Sequence, residues 1–548
     1  MTDRGMRFCR HLLQIAVLLA SGAATSFAWA SASSTDAASS QQAAQPPAQP
    51  PTQPPTQVSA HEIRVAEGED TPTSMPGNVA RNTATDNILG NVVESLVALR
   101  ADLSVAPMLA DSWDISPDGK TYTFHLRHGV LFHNGAPVTS AEVKWSFGFL
   151  MKRSSGFECR SVFDGGRGVK VVAVTTPDPY TVVFELDRPY ALFLKQMVDP
   201  RCPLAVLHPS SVDSDGKWLK PVATGPYVFA DWKRGQYVLL KRFPQYRPRT
   251  EPPSGGAGAK RAYADVRFVV IPDEAAQKSA LAAGQIDAMT IDENNLLPPD
   301  PRWHLVEGPS ADPVVLLMQN RDPLLSDVRM RRAIALALDL PGIVNAVTDG
   351  HGHYNPSLIP DANKLYSTID ATGYTKNLPE VKRLLEQAGY HGQTLKLETS
   401  RRFEHMYTLA VYVQSLLTRA GIRTELDIVE WSKQVSDFRS GRFQLMSFAY
   451  SARIDPALMF GDVLGDKSKT PMAQWENPAA LALLHSLQGV SDETARKQAF
   501  ERLHQMMIAD VPLLGMYNTP DLILVSSRLH GLTSWPMRRM RFYNVSKD

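Results

Sequence analysis

Residues 92–147 read VVESLVALRADLSVAPMLADSWDISPDGKTYTFHLRHGVLFHNGAPVTSAEVKWSF. Ile115-Ser116-Pro117-Asp118-Gly119 puts Pro and Gly where a tight turn needs them, and Tyr122, Phe124 and Leu126 then alternate as one buried face of a strand. A hairpin follows from that pattern. Asn134-Gly135 makes a second turn, and Thr139-Ser140-Ala141-Glu142 is a capping box ahead of Val143, Trp145 and Phe147. Its Thr hydroxyl and Glu carboxylate can each satisfy an amide left without a partner at a helix start, so a helix begins there.

The same vocabulary continues outward. Pro177-Asp178-Pro179 precedes the alternating Tyr180, Val182, Phe184 and Leu186, and Arg234-Gly235 separates Tyr227-Val228-Phe229 from Tyr237-Val238-Leu239-Leu240, giving two more hairpins. After Asp273 the segment EAAQKSALAAG reads as a helix closed by Gly284, followed by a strand at Ile286–Met289. Leu395 and Leu397 mark a strand, Phe403 to Ala420 a long helix capped by Gly421, and Arg423 to Ile428 a second strand: a βαβ unit. Two further helices are expected at 379–388 and 492–509. Gly225-Pro226 interrupts the backbone before a strand. The class is α/β with substantial antiparallel additions.

A chain of 548 residues is about twice the size at which single cores stop growing, so more than one domain is expected. Hydrophobic residues at 43% and charged residues at 21% exclude a wholly disordered, collagenous or polytopic membrane protein. Lys+Arg 57 against Asp+Glu 56 leaves +1, no basic excess from which to argue nucleic-acid binding, so a charged ligand must be recognised locally.

Arg4, Arg7 and Arg10 precede an apolar run from Leu12 to Ala20, and Ala28-Trp29-Ala30 supplies the small-x-small pattern that a signal peptidase cuts after. The run is too short to span a bilayer, and no Cys follows it to be acylated. Residues 1–30 are thus read as a cleavable signal and the product as free in the periplasm. Residues 31–57, rich in Ala, Gln, Ser and Pro without apolar periodicity, read as a disordered linker, with folding from about Val58. Cleavage removes Cys9 and leaves Cys159 and Cys202 in a compartment that permits disulfides. They are a candidate pair, and spacing does not decide it. C-x-x-C, the usual mark of a catalytic dithiol, is absent.

With those motifs in hand, the chain resembles the family-5 extracytoplasmic solute-binding proteins of ABC importers for oligopeptides, dipeptides, nickel complexes, opines and glutathione. The matching stretches are 92–147 as quoted, PVATGPYVFADWKRGQYVLLKRFPQY, VRFVVIPDEAAQKSALAAGQID and NRDPLLSDVRMRRAIALALD, with the weaker LPEVKRLLEQAGY and GIRTELDIVEW. They fall in the family's order. The resemblance implies a two-lobed periplasmic-binding-protein fold (type II, cluster C). Lobe I would comprise 58–96, 212–309 and 516–548, an extra subdomain 97–211, and lobe II 310–515. It further implies capture of a peptide or peptide-like solute in the interlobe cleft, no cofactor, and delivery by a monomer to a permease and ATPase complex at the inner membrane.

Candidate contacts belong in loops at strand ends. Glu69, after the first strand, could hold a cation or be solvated. Thr224 could present backbone to an extended ligand or serve a structural turn. Asn320 could reach a ligand or satisfy local backbone. Arg402 lies at a strand-to-helix junction, and Trp431, Tyr450, Arg453 and Asp455 form the fourth set. Peptide-binding members place an Asp just before the DP end of this last motif to pair with an α-ammonium group. Ala452 or Arg453 stands there instead, which favours a carboxylate-bearing or opine-like ligand, since an Arg fork pairs a carboxylate in two parallel bonds. The alternative is that Arg453 faces solvent or bridges to Asp455. His351-Gly352-His353 is poor evidence for a metal site without clustered partners. A ligand sensor or chaperone on the same scaffold remains open. An exported hydrolase would need more than the S-x-x-K of Ser214–Lys217, because the accompanying K-T-G is missing.

Overall fold

The computed structural model describes residues 62–548; the expected signal, the linker and the start near Val58 lie outside the described residues. Three of the five sheets among the described residues organise the fold. The first has seven strands, in the order Trp303–Gly308, Asp521–Ser526, Ala288–Thr290, Glu62–Glu67, Asp265–Val270, Tyr237–Arg242, Tyr227–Lys233. The second has five, in the order Thr424–Ile428, Leu395–Thr399, Leu445–Ala449, Pro313–Met318, Leu513–Asn518. A four-stranded antiparallel sheet is built from Ala110–Ile115, Thr121–Leu126, Thr181–Leu186 and Val171–Asp178.

Local sequence accounts for these elements. Gly119 takes φ +68 in the hairpin turn, and Tyr122 and Phe124 are buried in the core beneath it. Thr139 and Glu142 form the reciprocal cap expected of them, opening the helix Ser140–Leu150. The strands Leu395–Thr399 and Thr424–Ile428 pair in parallel around the helix Glu404–Arg419, with Gly421 at φ +86. Pro313–Met318 is apolar and buried throughout, as a central strand covered on both faces requires. Val314, Leu316 and Met318 pack into one core, and Val315 and Leu317 into another across the sheet.

The chain passes between the two larger sheets at two adjacent places. Trp303–Gly308 belongs to the seven-stranded sheet and Pro313–Met318 to the five-stranded one; Leu513–Asn518 and Asp521–Ser526 make the reverse crossing. The two connections run side by side, the Thr519 amide donating to the Asp312 carbonyl at 3.0 Å. Beside them a small apolar cluster of Leu99, Leu103, Ala311, Ala452, Ile454, Trp535 and Met537 draws on segments from all sides.

Candidate functional site

A cavity of about 560 Å³ lies between the segment Glu158–Cys202 and the helices Pro456–Val463 and Pro478–Ser486. The near wall is fixed covalently. Cys159 and Cys202 are joined in a disulfide with their Cα atoms 5.9 Å apart, so the strands between them start and end at one point. Asp199 and Arg201 flank Pro200 just before that cysteine. The Arg201 guanidinium grips the Asp199 carboxylate in a fork, with Nε at 3.0 Å and Nη2 at 2.7 Å.

The far wall presents Arg453, whose Nε donates to Asp462 at 2.6 Å and whose Nη1 donates to the Ser451 carbonyl at 2.8 Å. Asp462 lies on the helix Pro456–Val463, so Arg453 is held back along its own half of the molecule. Among the described residues neither Nη2 of Arg453 nor Nη1 of Arg201 has a partner. Burial alone would raise the Asp199 carboxyl, but the bonds and charge of Arg201 and the charge of Arg453 hold it below the usual carboxylate range. The Arg201 guanidinium is shifted upward, its burial outweighed by Asp199 with help from Asp462 and Glu158. Two Arg–Asp pairs therefore face each other across the cavity, each with donors to spare.

The walls are already latched at one edge. Lys195 Nζ reaches the Asp455 carboxylate at 2.9 Å, while Arg496 Nη2 donates to its other oxygen at 2.5 Å. The Ala191 amide adds a backbone bond to the Gln488 carbonyl at 2.8 Å. Asp455 also caps the helix Pro456–Val463 through the Ala457 amide. Burial pushes the Tyr190 hydroxyl beside it up to about 12, with Asp455 adding to the shift.

The remaining sequence candidates separate physically. Trp431 is half-buried, stacked on Phe448 with centroids 6.1 Å apart and edge-on to Phe403 at 5.1 Å. Arg402 is exposed and lies over the Phe403 ring at 5.5 Å. Tyr450 closes this aromatic row inside the core, its hydroxyl buried without a partner. Glu69 is exposed after its strand.

At three positions the structure shows which partner within the protein each side chain takes. Thr224 is fully buried, and its hydroxyl donates to Glu94 at 2.8 Å; Glu94 also accepts from Tyr246 at 2.7 Å, so this side chain serves the interior. Asn320 sits at the end of Pro313–Met318 remote from the crossings and donates to the Gln474 carbonyl at 2.7 Å. Arg453 neither faces solvent nor bridges to Asp455, because Asp462 takes it and Lys195 and Arg496 occupy Asp455. Asp199, Arg201, Lys195 and Arg496 were missed by sequence reasoning. Asp-x-Arg spacing at 199–201 was the one local signal, and it says nothing about what faces the pair.

The model for bacterial extracellular solute-binding proteins, family 5, matches residues 104–471. The chain belongs to that family. A protein of Escherichia coli (strain K12) named a probable D,D-dipeptide-binding periplasmic protein is 25% identical over 448 residues, covering 79% of this chain and 83% of that one. Two solved structures share the fold. One is NikA from Brucella suis in complex with Fe(III)-EDTA, with TM-score 0.76, 22% identity, and 89% and 100% of the two chains covered. The other, the binding protein AgaA from A. tumefaciens R10 in complex with agropinic acid, has TM-score 0.68, 22% identity, and coverage of 89% and 99%. The fold is thus the two-lobed α/β architecture of this family, with the paired crossings linking its two large sheets. No helix among the described residues is long and apolar enough to cross a membrane.

Proposed function

We propose that this protein is the periplasmic solute-binding component of an ABC importer. It captures a carboxylate-bearing, peptide-like or opine-like solute between its lobes and delivers it unchanged to a membrane permease driven by a cytoplasmic ATPase. The observation that carries the ligand class is the facing of Asp199–Arg201 and Arg453–Asp462 across the 560 Å³ cavity, with one guanidinium nitrogen of each Arg unspent. A carboxylate placed there meets donors from both walls. An ammonium would meet two guanidinium groups and gain little from carboxylates already engaged.

The family membership supports binding without chemistry, and the relatives' names point the same way. Agropinic acid, Fe(III)-EDTA and a D,D-dipeptide all carry carboxylates. The export signal read at residues 1–30 and the name of the periplasmic relative support the compartment. The lobes are assigned as 58–96 with 212–309 and 516–548, the subdomain 97–211, and 310–515. A ligand touching both sides gains contacts available only when they are together, so it shifts the molecule toward its closed form, and a permease that selects that form reads occupancy. The chain acts as a monomer in this scheme.

The test is a thermal-shift and calorimetric screen of agropinic acid and D-alanyl-D-alanine, each beside its methyl ester. The free acids raise the melting temperature, the esters do not, and Arg453→Ala weakens the acid by about tenfold or more. Equal binding of acid and ester removes the carboxylate assignment, and turnover of any bound solute removes the transport reading.

A further inference from the structure

A second, larger cleft opens on the five-stranded sheet and is lined by a different set of residues; the two linings approach each other at the loop after the helix Pro456–Val463, where Leu464 faces the interlobe cavity and Lys467 the cleft. Its volume is about 720 Å³, and it is lined by the far ends of the strands Pro313–Met318 and Leu395–Thr399 and by the loop segments 440–444 and 467–471. Gln319 lies seven residues beyond Asp312 at the crossing, which at the rise of a β-strand is roughly 20 Å. The neighbouring lobe does not contribute to its lining.

Five basic and three acidic side chains line the cleft, and three of the basic ones are held by carboxylates. Arg321 holds Glu476 in a fork at 2.8 and 2.6 Å. Lys433 and Arg442 both turn to Asp437. Asp322 accepts from Gln444 at 2.9 Å. Among the described residues five of these charges have no oppositely charged group within ion-pair distance: Lys396, Lys467, Asp322, Glu398 and Asp427. They are two cations and three anions, of which Asp322 is met by the Gln444 amide and the backbone amides of Leu324 and Leu325.

Two of the five are deeply buried, which makes their isolation costly. Glu398 is only 4% exposed, and its Oε1 has no hydrogen-bond partner. Lys467 is also 4% exposed, and its ammonium, with three protons to donate, finds only the neutral Gln319 side-chain oxygen. Buried charges are ordinarily paired, and a buried polar atom left unmet costs free energy. Burial, with the nearby Asp437 adding to it, pushes the Glu398 carboxyl up to about 7, and burial draws the Lys467 ammonium down to about 8. Each group is thus poised close to losing its charge for want of a counter-ion. Lys433 relieves the first and Glu476 the second only in part.

We infer that this cleft is a second ligand site for a small zwitterion of the α-amino-acid class, its carboxylate received by Lys467 and Lys396 and its ammonium by Glu398 and Asp427. A simple anion would leave Glu398 unmet, and a simple cation would leave Lys467 unmet. Only a molecule carrying both charges settles both. The Gln319 and Gln444 amides beside them are engaged within the protein, Gln319 with Gly441 and Lys467 and Gln444 with Asp322 and the Lys396 amide.

Isothermal titration calorimetry of the full chain tests the site with L-alanine as probe, beside propionate and ethylamine, which each keep one of its charged groups. L-alanine binds, and the two half-molecules bind at least about tenfold more weakly. Glu398→Gln and Lys467→Met each weaken L-alanine by about tenfold or more while retaining the wild-type circular dichroism and melting transition. Absence of binding by L-alanine overturns the inference. So does propionate binding as tightly as L-alanine, which makes the cleft a plain anion site. Undiminished binding in both variants, or its loss in Arg453→Ala, would locate the amino acid in the interlobe cavity instead.

Discussion

Replacing Asp455 with alanine should destabilise the protein more than any other single change at the cavity edge. The carboxylate is 1% exposed and does three things: it caps the helix Pro456–Val463, pairs with Lys195 and pairs with Arg496. Loss of a helix cap costs about 1 kcal/mol. Removing one member of a buried ion pair costs about 3–5 kcal/mol, because the partner is left buried and uncompensated. Lys195 and Arg496 side chains are 14% and 8% exposed, so water does little to rescue them. The sum is about 4–6 kcal/mol. Lys195→Met removes only the connection across the cavity, leaving Asp455 with Arg496 and its cap, and should cost about 2 kcal/mol.

Equilibrium urea unfolding measures both variants, and small-angle scattering reports whether the Lys195 change lets the walls separate. The acid limb of stability adds a second reading. Burial by itself would raise the Asp455 carboxyl, but Lys195 and Arg496 outweigh it and hold the group below its ordinary value. Its contribution is therefore present above the unfolded-state value near pH 4 and lost as pH falls through the lower folded value. Asp455→Ala should remove that acid dependence. A loss under about 1 kcal/mol for Asp455→Ala, or equal losses for the two variants, would refute the reasoning that the buried carboxylate holds both cations.

The disulfide between Cys159 and Cys202 closes a loop with a sequence separation of 43, and chain-entropy arguments assign such a loop about 4 kcal/mol; reductant or Cys202→Ala should lower the melting temperature, and an unchanged transition would show that the near wall does not depend on it. Burial raises the carboxyls of Asp86 and Asp521 to about 6, against partial relief from Arg539 and Arg81 for the first and Arg538 for the second. A folded value above the unfolded one stabilises fully below about pH 4 and is lost as pH rises through 6, so Asp86→Asn and Asp521→Asn should gain stability relative to wild type as pH rises from about 4 to about 6 and hold that gain above it. Parallel pH profiles for wild type and variants would refute that assignment.

Much of the fold was legible from local chemistry. The Pro117–Gly119 turn, the Thr139–Glu142 cap and the βαβ unit around Glu404–Arg419 each depend on residues only a few positions apart, and the folded chain keeps them. The candidate site was legible only in part. Arg453 was singled out because of what it replaces, yet its partner turned out to be Asp462, nine residues on and one helical face away. Thr224, read either as presenting backbone to a ligand or as serving a structural turn, is buried by packing against Glu94, 130 residues earlier in the chain.

Sequence alone determined the elements, the family and the change of charge at Arg453, because hydrophobic period, turn residues and caps act within a few residues of one another. Tertiary structure alone decided that Asp199–Arg201 faces Arg453–Asp462, that Lys195 crosses to Asp455, 260 positions away, and that Glu398 and Lys467 share one cleft. Electrostatic partnership depends on distance and burial in space, and neither is fixed until distant segments pack.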